Sequence, residues 1–482
     1  MNPFEIALLA LGGAVLLFLA VVLVRALRFK PLPEPMTDDA PVSFDEDRAA
    51  ACLASLVRCK TVSYRDASLE DDAAFEELIS SLPSLYPRVF EKCSLEKLPG
   101  RALLFHWRGK AADAPTVLMA HYDVVPVNED AWSASPFAGE IRDGRLWGRG
   151  TLDTKVTMNG ALFAANTLIG EGFVPENDIY FAFSGGEEVS GPGASYIVDL
   201  FEERGIVPAM VLDEGGAVVE GVFPGVGRPC GLIGIAEKGM IDLAYTVKSG
   251  GGHASAPKPN APVDRLARAC AKVLDNPTKL RLTPPVAEMF DTLGRHSSFL
   301  YRVIFANLRL FLPVLDMICK KGGGEMNALL RTTVAFTQMK GSAASNVIPP
   351  EASLVSNIRI NPDENVEGVV AHIKKAIGDE AVSLTVLDSQ NPSRISRTDT
   401  DGFARLERAV ASTWRGCIVS PYLMVQCSDS RHWGKLSDRV YRFSAMDLTS
   451  AERATIHGND ESIRLEALSR TVEFYLRLIR SC

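Results

Sequence analysis

The sequence has no C-x-x-C pair, and its nine cysteines are odd in number and scattered along the chain. That pattern argues against both a disulfide framework and a thiolate metal knuckle. Isolated thiols instead suit small buried positions in a reducing compartment. Long Lys/Arg runs are also missing, and the formal charge is −8, so the electrostatic footprint of a nucleic-acid binder is absent. Neither an internal repeat nor a low-complexity tract interrupts the chain. Histidine is scarce, at seven in 482 residues, so one placed in a polar, glycine-containing turn stands out.

What the chain does have is length enough for two or three domains and an apolar start. Ile6 to Val24 contains no charged residue, and Arg25, Arg28 and Lys30 follow at once, before Pro31 and Pro33. A stretch of about 19 helical residues nearly spans a ~30 Å hydrocarbon layer. A cleaved signal peptide carries its positive charge before the apolar run, so residues 1–30 read as a single-pass membrane anchor. The basic flank favours a cytoplasmic main domain.

From about residue 100 the pattern is α/β, with short apolar runs between helical stretches. Thr116–Ala120 runs into His121, Ile179–Phe183 leads through Gly185 and Gly186 to Glu187 and Glu188, and Ala209–Leu212 runs into Asp213. In open α/β sheets functional groups collect beyond the carboxyl ends of strands. Ile241–Val247 and Ser353–Ile360 read as strands, and Pro262–Leu274 and Val366–Ile377 as helices. They are compatible with a small α+β domain inserted over residues 240–390, between catalytic parts at 31–239 and 391–482.

The strand-end residues have the chemistry of metal ligands. His121 and Asp123, two apart, share a face if the strand continues, and a ligating imidazole usually gives its other N–H to a carboxylate or carbonyl. Asp153 follows a turn built on Gly148 and Gly150, and its two oxygens can bridge two cations. Glu187 and Glu188 would repel each other without cations; one can bind metal while the other moves protons. Asp213 and Glu214 precede Gly215-Gly216, and His457 sits in Ile-His-Gly-Asn-Asp-Glu before the last helix. Each residue has a bland alternative, such as a helix cap or a surface acid. As a set, Asp153, Glu188 and Asp213 offset most of the charge of two Zn2+, and mixed imidazole and carboxylate donors suit zinc. Two neighbouring cations acidify a shared water and polarise a carbonyl.

His-Tyr-Asp-Val-Val-Pro at 121–126, Trp-Gly-Arg-Gly-Thr-Leu-Asp-Thr-Lys at 147–155, Gly-Gly-Glu-Glu at 185–188 and Gly-Gly-His-Ala-Ser at 251–255 occur in one order. With these motifs the chain resembles the dinuclear zinc peptidases that include aminoacylase, peptidase T and carboxypeptidase S. It is most like the branch of carboxypeptidase S and the N-fatty-acyl-amino-acid synthase/hydrolases. The resemblance implies a mixed-sheet catalytic domain with an inserted lid that mediates homodimerisation. It implies two Zn2+ per subunit (or other divalent metals), one held by His121, Asp153 and Asp213, the other by Asp153, Glu188 and His457. Glu187 is then the general base, Asp123 the residue behind His121, and His253 an oxyanion donor, often to the partner subunit's site. Asn327, Arg359 and Arg431 are candidates for substrate binding. Asn357 stands where the family usually has an acid near Arg359, which puts that arginine's pairing in question.

The implied reaction is hydrolysis of an amide bond beside a free amino-acid carboxylate. A metallocarboxypeptidase or dipeptidase is the first reading, and an N-acyl-amino-acid amidohydrolase the second. A retired site kept for binding is the third, and the full ligand set speaks against it. The apolar stretch Phe299–Met317 either lines a substrate site or packs as lid core.

Overall fold

The computed structural model describes residues 2–482. Along the chain the main strands are β1 (Ser94–Leu98), β2 (Ala102–Trp107), β3 (Ala111–His121), β4 (Asn177–Ser184), β5 (Met210–Val219) and β6 (Cys230–Glu237). Then come β7 (Gly239–Lys248), β8 (Thr333–Lys340), β9 (Glu351–Ile360), β10 (Ser383–Gln390), β11 (Ile418–Met424) and β12 (Val440–Leu448). The principal helices are α1 (Pro3–Arg28), α2 (Glu46–Arg58), α3 (Lys155–Gly170), α4 (Pro262–Asp275), α5 (Pro284–His296) and α6 (Phe299–Phe305). They continue with α7 (Leu308–Gly322), α8 (Gly324–Leu330), α9 (Val366–Ile377), α10 (Asp401–Thr413) and α11 (Leu465–Arg480).

An eight-stranded sheet runs in the order β1-β2-β4-β3-β5-β12-β6-β11. It is mixed: β3 pairs parallel with β4 and β5, while β2 pairs antiparallel with β4. The inner strands are buried on both faces, which is why they read as unbroken apolar runs rather than alternating ones. Helices α3, α10 and α11 cover one face, with Met158, Leu162, Leu406, Val472 and Tyr475 in the same core as Phe105 and Phe181.

Strands β8-β9-β7-β10 form a separate four-stranded antiparallel sheet. On β7 only alternate residues, Ile241, Leu243, Tyr245 and Val247, are fully buried, so one face packs and the other does not. The packed face meets Leu266 and Ala269 of α4 and Val369 and Ile373 of α9 in a core of its own.

Helices α5 to α8 fall within 240–390 but join the main core instead. Val286, Met289, Phe290, Leu293, Leu329 and Leu330 pack with Leu232, Tyr422 and Met424. The stretch Phe299–Met317 is therefore not lid core; several of its side chains, including Leu300, Leu310 and Met317, are exposed. Helix α1 is long and apolar enough to cross a membrane, and of its side chains only Val22 and Ala26 are buried.

Candidate metal centre

Register brings the candidate residues together. His121, the last residue of β3, lies opposite Ser184 of β4, and Leu118 lies opposite Leu212 of β5. The turn after β4 and the middle of β5 therefore reach the edge that carries His121.

The His121 imidazole is buried. Its Nδ1 lies 3.0 Å from the Asp123 carbonyl oxygen and 3.4 Å from Asp123 Oδ1. That leaves Nε2 pointing into the site, 3.0 Å from Asp153 Oδ1 and 3.4 Å from Glu214 Oε1. Asp123 is buried too. It accepts from the Glu187 and Glu188 amides at 3.1 and 3.2 Å and from Ser63 Oγ at 2.7 Å. One carboxylate thus fixes both the histidine and the acidic turn opposite it.

Asp153 sits between two imidazoles, its Oδ1 on His121 and its Oδ2 2.9 Å from His457 Nε2. The His457 Nε2 is also 3.1 Å from Glu188 Oε2. These hydrogen bonds to Asp153 and Glu188 push the His457 pKa up to about 10. The ligand atoms of His121, Asp153 and Glu188 lie within 4.8 Å of one another, as do those of His121, Glu187 and Glu214.

Asp213, expected to share a metal with His121, is not beside it; Glu214 is. Strand β5 does not stop at Leu212 but continues to Val219, so successive side chains point to opposite faces. The Asp213 carboxylate turns away and accepts from Ser430 N at 2.8 Å. Ser430 in turn donates to Glu237, which pairs with Arg442 at 2.6 Å. Burial pushes the Glu214 pKa up to about 8 and that of Asp213 to about 6. The continuing apolar run Ala217-Val218-Val219 is the signal that β5 does not stop there. The glycine pair lets β6 approach, since a Cβ on Gly216 would lie 1.8 Å from the Leu232 carbonyl oxygen.

Sequence reasoning missed the clamp behind Asp153. Glu461 Oε1 accepts from the amides of Gly150 and Leu152 at 3.1 and 2.7 Å, and Oε2 pairs with Arg149 Nη1 at 2.5 Å. Both partners are buried. Glu461 ends the same turn that carries His457, and Arg149 lies in the Trp-Gly-Arg-Gly motif, so the signal was present. Glu461→Gln leaves the Arg149 charge buried without a counter-ion, which costs about 3–5 kcal/mol. Urea unfolding of the variant checks this, and an unchanged midpoint refutes it.

The other candidates separate. Arg359 Nε donates to Asn357 Oδ1 at 3.1 Å, and Asn357 donates to Asp242 at 2.7 Å, so the asparagine relays the arginine to an acid. Arg359 Nη1 lies 3.4 Å from Cys427 Sγ. Arg431 donates to the Ser428 carbonyl at 3.0 Å, on the segment that also meets Asp213. His253 is exposed and bonds Ser255, with no contact to the cluster in its own chain among the described residues. Asn327 lines a different cavity of about 360 Å³, between α4, α8 and α9, apart from the cluster of its own chain. The helix that carries it follows the main core rather than the small sheet.

The donor set fits cations. Glu188 Oε1 is buried without any hydrogen-bond partner. Burial raises the Glu187 pKa well above the usual carboxylate range, and that of Glu188 more moderately. No arginine or lysine forms a salt bridge with Asp153, Glu187, Glu188 or Glu214 among the described residues. Crowded, buried carboxylates of this kind need positive charge from elsewhere.

The model of the peptidase family M20/M25/M40 matches residues 117–481. The chain is 36% identical over 435 residues to an N-fatty-acyl-amino acid synthase/hydrolase of Xenopus tropicalis, covering 89% of this chain and 85% of that protein. It is 32% identical over 493 residues to a probable carboxypeptidase S-like protein of Dictyostelium discoideum, covering 100% and 94%. The crystal structure of an M20 family metallo-carboxypeptidase from Sulfolobus solfataricus superposes with a TM-score of 0.67 at 17% identity, covering 91% and 99%. That last likeness speaks for the fold alone. With a mixed-sheet fold, a cluster of two histidines and four carboxylates, and this match over most of its length, the chain belongs to peptidase family M20/M25/M40 and is a hydrolase.

Proposed function

We propose that the protein hydrolyses an amide bond next to a free amino-acid carboxylate. Two Zn2+ would be held there, one by His121, Asp153 and Glu214 and the other by Asp153, Glu188 and His457. The observation that carries this is the placing of the two Asp153 oxygens, each against a different imidazole, at 3.0 and 2.9 Å. Bound there, the metal pair supplies carbonyl polarisation and a more acidic water. Glu187 takes the proton of the attacking water and returns it to the leaving nitrogen. Asp123 positions His121 and the Glu187 amide together. Arg359 and Arg431 hold the substrate carboxylate, whose two oxygens match a guanidinium fork. The small sheet acts as a lid and dimer surface, and its exposed His253 serves the partner subunit's site as an oxyanion donor. Helix α1 anchors the chain in a membrane.

Both carboxypeptidase and N-acyl-amino-acid amidohydrolase chemistry fit this site. A cavity of roughly 510 Å³, lined by apolar residues including Phe223, Leu232, Leu293 and Met326 with Glu325 beside them, favours the acyl reading. Its wall at Leu232 backs on Gly216, two residues from Glu214. The Xenopus relative's name points the same way. Each methylene buried adds about 0.8 kcal/mol. Lengthening the acyl chain by two methylenes should therefore raise kcat/KM on the order of tenfold until the cavity is full. The check is a zinc-loaded assay of N-acyl amino acids of increasing length against dipeptides. Rates that ignore acyl length, with dipeptides cleaved as well, return the protein to the carboxypeptidase reading. Inactivity on both classes sinks the amide-hydrolase proposal.

A further inference from the structure

Where α1 leaves the folded body sets a level on the rest of the protein. From Pro3 to Val21 every α1 side chain is exposed, and burial begins at Val22 and Ala26. Those exposed residues span roughly 28 Å at the rise of an α-helix, close to the ~30 Å of a hydrocarbon layer. The change from bare to packed helix therefore marks one face of the bilayer. Asn307 sits at that change: it is buried, and its Nδ2 donates to the Val22 carbonyl at 3.1 Å and to the Val303 carbonyl at 2.9 Å. Below it, Arg295 Nη1 donates to the Lys30 carbonyl at 3.0 Å and its guanidinium lies 4.5 Å from the Phe29 ring. The joint is thus tied by directed bonds, and α7 begins at the next residue, Leu308.

Helix α7 carries apolar side chains outward. Leu310, Val314, Met317 and Ile318 are all exposed, at a spacing that puts them on one helical face. On α6, Phe299 and Leu300 are exposed as well, Leu300 at 75%. Phe305, Leu308 and Leu315 pack against the main core, so the exposed set is a second apolar face rather than a loose first one. Arg25, Arg28 and Arg309 lie together where α1 meets α7, and exposed Lys321 follows the apolar face at its end, while Lys320 pairs with Asp316 at 2.9 Å.

We propose that α6 and α7 dock on the lipid bilayer beside α1, the outward apolar face entering the acyl boundary and the basic edge meeting anionic headgroups. Continuity with α1 chooses this occupant. A helix pair bonded to the span at the level where it leaves the hydrocarbon lies at the lipid interface, where amphipathic helices bury an apolar face among acyl chains and basic residues are drawn to anionic lipid. This rests on α1 being a membrane span, and the test separates the two claims.

The full chain is reconstituted in vesicles of phosphatidylcholine and phosphatidylserine that carry a photoactivatable carbene lipid, and labelled peptides are mapped by mass spectrometry. Label in both 2–28 and 299–318 is the expected result. Label in 2–28 alone overturns the docking surface and leaves the anchor standing. Label in 299–318 alone removes the anchor and with it the level that α1 sets, and so overturns docking beside α1. Label in neither overturns both. If 299–318 is unlabelled and the protein is dimeric through that face by cross-linking, a second copy covers it and the proposal falls. The double variant L310E/M317E should lose label in 299–318, keep it in 2–28, and retain wild-type turnover of a water-soluble substrate. Retained label in 299–318 of that variant also counts against the proposal.

Discussion

Replacing Glu187 by glutamine should leave the bound metal in place and lower kcat on the order of 10³-fold, with KM little changed. That is about 4 kcal/mol of barrier. Glutamine matches the shape of the side chain but cannot accept a proton. The backbone at this residue is held by its amide bond to Asp123 Oδ1 at 3.1 Å, which the substitution does not touch. Burial raises the Glu187 pKa well above the usual carboxylate range, so positive charge beside it is needed to keep it ionised and able to take a proton. The experiment pairs steady-state kinetics with metal analysis of the same preparation. Activity within tenfold of wild type would falsify the assignment of Glu187 as the base. Loss of metal along with activity would make it a ligand instead, a live alternative because its carboxylate is within 4.8 Å of His121 and Glu214 ligand atoms.

A second large effect distinguishes neighbours in sequence. Glu214→Gln should weaken one metal by more than about 100-fold, since even groups behind a ligand are worth 10–100-fold. Metal content after dialysis should fall by about one ion per chain, and turnover with it. Asp213→Asn should keep both metals, because its carboxylate is occupied by Ser430 N at 2.8 Å and an amide oxygen can replace it there. The opposite outcome, metal lost from the Asp213 variant and kept in the Glu214 variant, restores the assignment that the bare sequence suggested.

The apolar runs before His121, Glu187 and Asp213 were legible because the inner strands are covered on both faces. The alternating strands and amphipathic helices of the small sheet were legible by their periods, with Val366–Ile377 found to the residue. Which member of an acid pair faces the site depends on whether the strand goes on, and Gly215-Gly216 looked like a stop. Register then decides what local pattern cannot: Leu118 opposite Leu212 sets the level of Glu214 against His121. Arg149 and Glu461 each sit in a legible motif, but nothing short-range links the two motifs as a pair. Asn327 was placed by likeness of motif, while its helix follows the packing of Leu329 and Leu330 into the main core.

The clamp on Asp153 also has a consequence in time. Arg149 and Glu461 are 312 residues apart in sequence, and His457 belongs to the same late turn. A ribosome adding roughly 5–20 residues per second needs tens of seconds to cover that distance. For most of that interval His121, Asp153 and the two acidic turns are already made, while the turn that completes them is not. The nascent protein therefore carries a half-built, strongly acidic cleft until the turn from His457 to Glu461 has been made.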